Sequence, residues 1–247
     1  MAELKWLEYD IFKRYNEIVN ATFSRKGGVS EGKFATLNLS DRVGDNPVHV
    51  KRNRELVKEQ CRVKVIVFGN QVHGFNIVEI TSDNKDIIHE ADGFITKEPN
   101  LALAILHADC QAAIFYDPVH EVIAAAHAGW QGMAHNIYAT MVHRLKQDFK
   151  TNPKQLLIAI SPSLGPENSE FRNYKKEFPI DFQRFLVKPN YFNLWEVGKY
   201  QLLKAGIEEK NVEIAHICNY MNKDEYFSHR RDKETGRNAT LIARISS

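Results

Sequence analysis

Residues 101 to 132, LALAILHADCQAAIFYDPVHEVIAAAHAGWQG, hold apolar runs that end abruptly on polar residues with metal chemistry. Each run suits an interior strand, since it is short, nearly continuous and bounded by turn residues. One run ends in His107-Ala108-Asp109-Cys110 and another in His127-Ala128-Gly129-Trp130. A plain buried strand pair has no use for a thiol, an acid and two imidazoles at its ends. Either the fold gathers them or they sit there singly as packing residues.

The rest of the chain narrows the choice. At 247 residues it can bury a sizeable core as one domain, and we treat 1–247 as a single domain. Its 33 basic and 31 acidic residues nearly cancel, so composition does not favour nucleic acid as a partner. No run approaches 18 apolar residues, and the N-terminal MAELKWLEYDIFKRYNEI is charged and amphipathic. It reads as neither signal peptide nor membrane anchor. Three widely spaced cysteines make no disulfide framework, which points to a reducing cytoplasm.

Local patterns give mixed elements without a regular strand–helix–strand alternation. NATFSR reads as a short strand stopped by Gly27-Gly28, and GKFATLNLSDRVGDNP as a long loop. Asn46 before Pro47 is an N-cap and first-turn proline, opening a helix to about Cys61 with Val50, Val57 and Cys61 on one face. VKVIVF and FNIVEI are strands flanking GNQVHG, and 91–95, 101–106, 112–116 and 121–126 continue as strands, with YDPVHE as a turn. A helix is expected from about Met133, because Ile137, Met141, Leu145 and Phe149 recur every four residues. LLIAI is a strand, LWEVGKYQLLKAG a helix, and VEIAHI and ATLIARI are late strands. Tight turns between neighbouring strands, with helices set apart, indicate an α+β fold.

We expect ALAIL to pair with VIAAA across the turn at Asp117-Pro118. Cys110, before the second of three strands, and His127, after the third, then lie at one end of a sheet. Thiolate and imidazole are zinc ligands, and three of them leave a fourth position open. His73, in NQVHG between two strands, is the natural third. The spacings of 37 and 17 residues exclude a short-range finger motif. Each residue also has a simpler reading: Cys110 as core, His73 as a turn residue, His127 as a strand terminus. Spacing alone does not decide. His107, two residues before Asp109, is a further ligand or a residue behind the ligands. His49, His89, His120, His135, His143 and His216 read as solvated or structural, Cys61 as packing, and Cys218 as a strand-end residue near the site. No P-loop, dinucleotide-binding or nucleophile-elbow motif is present. YFSHRRDKETGRNATLI, with Arg230, Arg231 and Arg237, is a solvated loop or a guanidinium wall for an anionic or ring-bearing ligand.

The ordered set FSRKGGVSEGKFATLNLS, GDNP, NR, QVHG, ADGFIT, ADC, HAGW, SPSLGP and YFSHRRDKETGR resembles the laccase-domain (YfiH-like) family, from about Phe23 to Ile245. That family is known both as polyphenol oxidases and as purine nucleoside phosphorylases. The resemblance implies a single α+β domain in four layers, α/β/β/α, with mixed sheets. It implies that His73, Cys110 and His127 hold one zinc ion, and that purine nucleosides and phosphate are the partners. Adenosine, inosine and guanosine would be cleaved to free base and ribose 1-phosphate, with methylthioadenosine cleavage and adenosine deamination as companion activities. A monomer is expected.

Roles for the remaining residues follow from that chemistry. Asp109, adjacent to Cys110, is the nearest proton shuttle, or else a strand-end carboxylate holding His107 or a backbone N–H. Arg54 and Arg230 are the arginines expected to meet phosphate, because a planar fork makes two parallel hydrogen bonds. Asn38 and Gln71 are expected polar contacts to sugar or base. The chain departs from the family at Gln131, where arginine is usual, at Ser161, Asn168 and Ser169 in an altered segment, and at His229 in place of tyrosine. A neutral Gln131 would weaken any contact to phosphate, or else it faces solvent and matters little. Two other readings stay open: a copper-dependent polyphenol oxidase, with copper held adventitiously on the same residues, and a non-catalytic zinc-stabilised binding protein.

Overall fold

The computed structural model describes residues 3–246. Two mixed sheets form its centre. One has the order β1 (Trp6–Leu7), β2 (Ile18–Phe23), β13 (Asn238–Arg244), β6 (Leu101–His107) and β3 (Val65–Phe68). The other runs β12 (Val212–Ile214), β9 (Leu157–Ile160), β7 (Gln111–Asp117), β8 (Val122–Ala128), β5 (Gly93–Thr96) and β4 (Ile77–Glu79). A separate ribbon pairs β10 (Leu186–Lys188) with β11 (Tyr191–Phe192). Parallel pairs β3/β6, β4/β5 and β9/β12 sit among antiparallel ones.

Side-chain alternation sorts these strands into layers. Leu101, Leu103 and Ile105 of β6 point into the space between the sheets, against Ile114, Phe94 and Leu157 of the other sheet. Ala102 and Ala104 point the other way, under Val57 and Cys61 of helix α1 (Pro47–Cys61). On the far side, Ala113, Phe115 and Ile158 meet Tyr138, Met141 and Leu145 of α3 (Ile137–Phe149) and Val197 and Leu202 of α5 (Leu194–Lys204). The order is α/β/β/α, as the resemblance implies. Both faces of each central strand are covered, which is why these runs are apolar without alternation.

Helix ends follow the expected chemistry in one place and not in another. The Asn46 side chain accepts from the Val48 N–H with Pro47 at the first position, as the sequence predicts. The helix expected from Met133 is instead two: α2 (Trp130–Ala134) and α3. Asn136 breaks it, taking the left-handed conformation at φ 58° and capping α3 through the Ala139 N–H. Short helices α4 (Tyr174–Glu177) and α6 (His229–Asp232) complete the chain.

One expected pairing is wrong. ALAIL does not pair with VIAAA: β6 lies in the first sheet, between β13 and β3. The turn at Asp117-Pro118 joins β7 to β8, whose register runs from Asp117↔Val122 to Gln111↔Ala128. The segment from Ala108 to Cys110, with Asp109 at φ 96°, carries the chain from one sheet to the other. The conclusion drawn from the wrong pairing survives, because β7 and β8 still bring Cys110 and His127 to one end.

Candidate metal centre

Three elements converge at that end. Cys110 immediately precedes β7, and His127 lies opposite Ala112 in the hairpin register, so the hairpin alone makes them neighbours. His73 arrives on the loop between β3 and β4, in the left-handed conformation at φ 61°. The ligand atoms of His73, Cys110 and His127 all lie within 4.8 Å of one another. The two imidazole rings meet edge to face, with centroids 4.8 Å apart.

Asp92 builds this centre, and the sequence reading missed it. It is fully buried at the start of β5, which pairs with β8 so that Gly93 lies opposite Ala126. Its carboxylate accepts the N–H groups of Val72, His73 and Gly74 at 3.2, 3.0 and 2.7 Å. Its Oδ1 also lies 2.8 Å from His127 Nδ1. One buried acid therefore fixes the His73 loop and orients the His127 ring, leaving His127 Nε2 for a ligand. Its only trace in the sequence is an acid at the mouth of a buried strand, in ADGFIT.

The electrostatics favour a thiolate. Burial opposes ionisation of Cys110, yet the neighbouring His127 and His73 outweigh it and bring the thiol down to about 6. Burial likewise opposes a charge on His127, but Cys110 and Asp92 hold it up at about 9. Gly129 completes the cradle: a Cβ there would stand 2.9 Å from His73 Cδ2 and 3.2 Å from Cys110 Sγ. A deprotonated thiol, two imidazoles and a carboxylate behind one of them make a donor set that fits zinc.

Two cavities meet at this centre, and His73, Cys110, Ala108 and His229 line both. The first, of about 250 Å³, is walled by Trp130, Met133, Leu164, Phe171 and Leu194, with Asp109 and Arg230 at its polar side. The second, of about 290 Å³, has the more polar lining of the two, with Ser40, Arg42, Gln71, His107 and Arg237.

The sequence-predicted residues divide between these cavities and other sites. Asp109 lines the first; its carboxylate accepts the Arg230 N–H, and burial, only partly offset by Ser228 and Arg230, raises its pKa. Arg230 donates through Nη1 to the carbonyls of Asn168 and Glu170 and stacks over Phe171. Gln71 lines the second cavity, but both ends of its amide are bonded to the backbone of Leu106. Asn38 lines neither cavity: it is fully buried and ties Ser40, Asp45 and the Arg237 N–H together. Arg54 lines neither cavity. It donates to the Leu39 carbonyl, pairs with Asp41 at 3.3 Å and stacks over Phe68. Its neighbour Asn53 is the loop organiser, bonding Val29, Ser30, Thr36 and Asn38. Neither Asn38 nor Arg54 lines either cavity, and a polar residue tying a loop leaves the same trace in a sequence as one touching a substrate.

His107 lies outside the group of three; it bonds Thr240 and burial pushes it down to about 3, with His127 and Arg237 adding to the effect. Cys218 lies near the first cavity, accepting from the Gly165 N–H at 3.2 Å. Ser161 is a buried strand-end hydroxyl on the Ala112 N–H, and Ser169 is fully buried. Gln131 is exposed in the first turn of α2 and lines neither cavity. Gln131→Arg is therefore expected to leave any nucleoside turnover within about twofold and to lower Tm slightly, by placing a cation at a helix N-terminus. Parallel steady-state and thermal-melt measurements on the two proteins check this.

The family described as multi-copper polyphenol oxidoreductase laccase matches residues 19–245. A Bacteroides thetaiotaomicron protein named purine nucleoside phosphorylase is 30% identical, covering 92% of this chain and 91% of its own. The Escherichia coli purine nucleoside phosphorylase YfiH is 29% identical over 89% of this chain and 90% of its own. Among solved structures, Bacillus licheniformis YfiH superposes with a TM-score of 0.87 at 30% identity, covering 95% of each chain. YlmD from Geobacillus stearothermophilus gives 0.88 at 28% identity, covering 98% of this chain and 96% of its own.

Proposed function

The chain belongs to the family described as multi-copper polyphenol oxidoreductase laccase, and on that premise we propose that it is a zinc-dependent purine nucleoside phosphorylase. The observation that carries the reading is a three-ligand centre in the wall between an aromatic cavity and a cationic one. A purine is planar and largely apolar, and suits the walls of Trp130 and Phe171. The substrates we assign are adenosine, inosine, guanosine and methylthioadenosine, each with inorganic phosphate.

In phosphorolysis a phosphate oxygen bonds to the ribose C1′ while the bond from C1′ to the purine nitrogen breaks. The departing base takes up a proton. Asp109 supplies it: burial keeps its carboxyl protonated to higher pH than usual, and it stands at the polar side of the aromatic cavity. Arg230, anchored on two carbonyls and stacked on Phe171, fixes the wall against which the base lies. When bound, zinc supplies Lewis-acid polarisation of a substrate oxygen or of water. Adenosine deamination by water is the companion activity we assign to the same pocket.

The family description favours a second reading, oxidation of phenols with copper. A multicopper centre needs several adjoining ligand sets, and among the described residues one such group converges. That group offers three protein ligands, which leaves a position for substrate and separates it from a closed structural site. The three cysteines are free, and no described helix is long and apolar enough to cross a membrane. Reduced thiols suit the cytoplasm, where we place the activity.

The test is inosine with and without phosphate, products separated by chromatography. Hypoxanthine and ribose 1-phosphate are expected only with phosphate, and adenosine is expected to lose its amine without it. Asp109→Asn keeps the acceptor for the Arg230 N–H but cannot give up a proton. It is expected to lower kcat for phosphorolysis by about 10²–10⁴-fold with zinc content unchanged. A kcat within a few-fold of the parent would remove Asp109 from the reaction.

A further inference from the structure

A line of buried hydroxyls ends at the cationic cavity. Tyr9 Oη lies 2.7 Å from Thr22 Oγ1, which lies 2.8 Å from Thr240 Oγ1, which lies 2.8 Å from His107 Nε2. All four residues are at most 1% exposed. Each hydroxyl carries one hydrogen, and among the described residues no other side-chain partner is available to Tyr9, Thr22 or Thr240 along the line. Only one direction uses every hydroxyl hydrogen: Tyr9 donates to Thr22, Thr22 to Thr240, and Thr240 to His107 Nε2. The reverse direction strands the buried phenol hydrogen of Tyr9 away from either cavity, whereas this one leaves only the hydrogen of His107 Nδ1, on a ring that lines a cavity where a ligand can accept it.

That direction fixes the tautomer of His107. Its Nε2 accepts, so the neutral ring carries its hydrogen on Nδ1. His107 Nδ1 is buried and has no partner in the protein. The ring lines the second cavity together with Arg237, Arg42 and Ser40. Arg237 donates from Nη1 to the carbonyls of Thr235 and Gly236, and no carboxylate pairs with it among the described residues. A donor without an acceptor beside an arginine that no carboxylate pairs directly is half of an anion site.

We propose that the second cavity is the phosphate subsite, with His107 Nδ1–H and the Arg237 guanidinium as its donors. This rests on the phosphorolysis reading and moves the phosphate away from Arg54, which is occupied elsewhere. It also gives the two cavities different cargo, base in the aromatic one and oxyanion in the cationic one, with the three-ligand centre between them. A neutral donor has an advantage here: a second full cation next to Arg237 would be costly to bury, whereas a tautomer locked by the hydroxyl line donates without charge.

The experiment uses zinc-loaded protein with 15N-labelled histidine and inorganic phosphate alone. Long-range 1H–15N spectra are expected to show His107 as a neutral ring protonated at Nδ1, and phosphate is expected to move that nitrogen. Thr240→Val removes the donor to Nε2 with little change of shape and is expected to release the tautomer. His107→Phe is expected to raise KM for phosphate at least about tenfold, with zinc content and KM for inosine unchanged. An Nε2–H tautomer, or a His107 signal indifferent to phosphate that supports turnover, overturns the proposal. The two readings fail separately. Phosphorolysis with a silent His107 keeps the activity and removes this subsite, while a responsive His107 in a protein without phosphorolysis keeps the subsite and removes the activity.

Discussion

Cys110→Ala is expected to lower bound zinc from close to one per chain to below about one tenth, and phosphate-dependent nucleoside cleavage to below about one hundredth. Losing a residue that merely supports a metal ligand costs roughly 10–100-fold in affinity, and losing the ligand itself must cost at least as much. Cys110 is the only thiol in the group and the residue whose negative charge holds His127 protonated when no metal is bound. Without it two imidazoles remain, one of them on the exposed loop carrying His73. Cys61→Ala is the control. That thiol ends α1, is buried against the first sheet and is pushed up to about 12 by burial, so zinc content should not move. Metal analysis of the purified variants gives the result directly, and full zinc occupancy in Cys110→Ala would dissolve the ligand set.

Asp92→Asn is expected to weaken zinc binding by about 10–100-fold and to lower the stability of the metal-free protein by about 3–5 kcal/mol. Asparagine matches the shape, but it offers one acceptor oxygen where the carboxylate serves three backbone N–H groups and the His127 ring. Its NH₂ would also face donors that have nowhere else to turn. In a domain of this size the loss corresponds to a fall in Tm of roughly 10 °C. Competition with a chelator of known affinity measures the first effect and thermal denaturation of the apo-protein the second. A variant with parent-like zinc affinity would show that the His73 loop and the His127 ring hold their places without Asp92.

The meeting of Cys110 and His127 was legible in the sequence for a reason that Asp92 and the strand order lacked. Cys110 and His127 stand at the ends of apolar runs joined by a recognisable turn, so local pairing alone brings them together. The assignment of β6 to the other sheet was hidden because Leu101–His107 is covered on both faces, and alternation carries no sign of which sheet a strand joins. Asp92 binds three backbone N–H groups 18 to 20 residues away, and backbone donors are identical in every sequence. The break at Asn136 was masked by the regular spacing of Ile137, Met141 and Leu145, which is genuine but begins at α3 and not at Met133. Asn38 and Arg54 were read as substrate contacts, and they organise the loop that precedes α1.

The central claim is that nucleoside cleavage here is phosphorolysis run at the His73–Cys110–His127 centre. The most direct measurement follows inosine cleavage on protein samples of graded, quantified zinc content, with and without phosphate. The account predicts hypoxanthine and ribose 1-phosphate at a rate proportional to bound zinc, and none when phosphate is omitted. Free ribose released without phosphate, or a rate indifferent to zinc content, would contradict it.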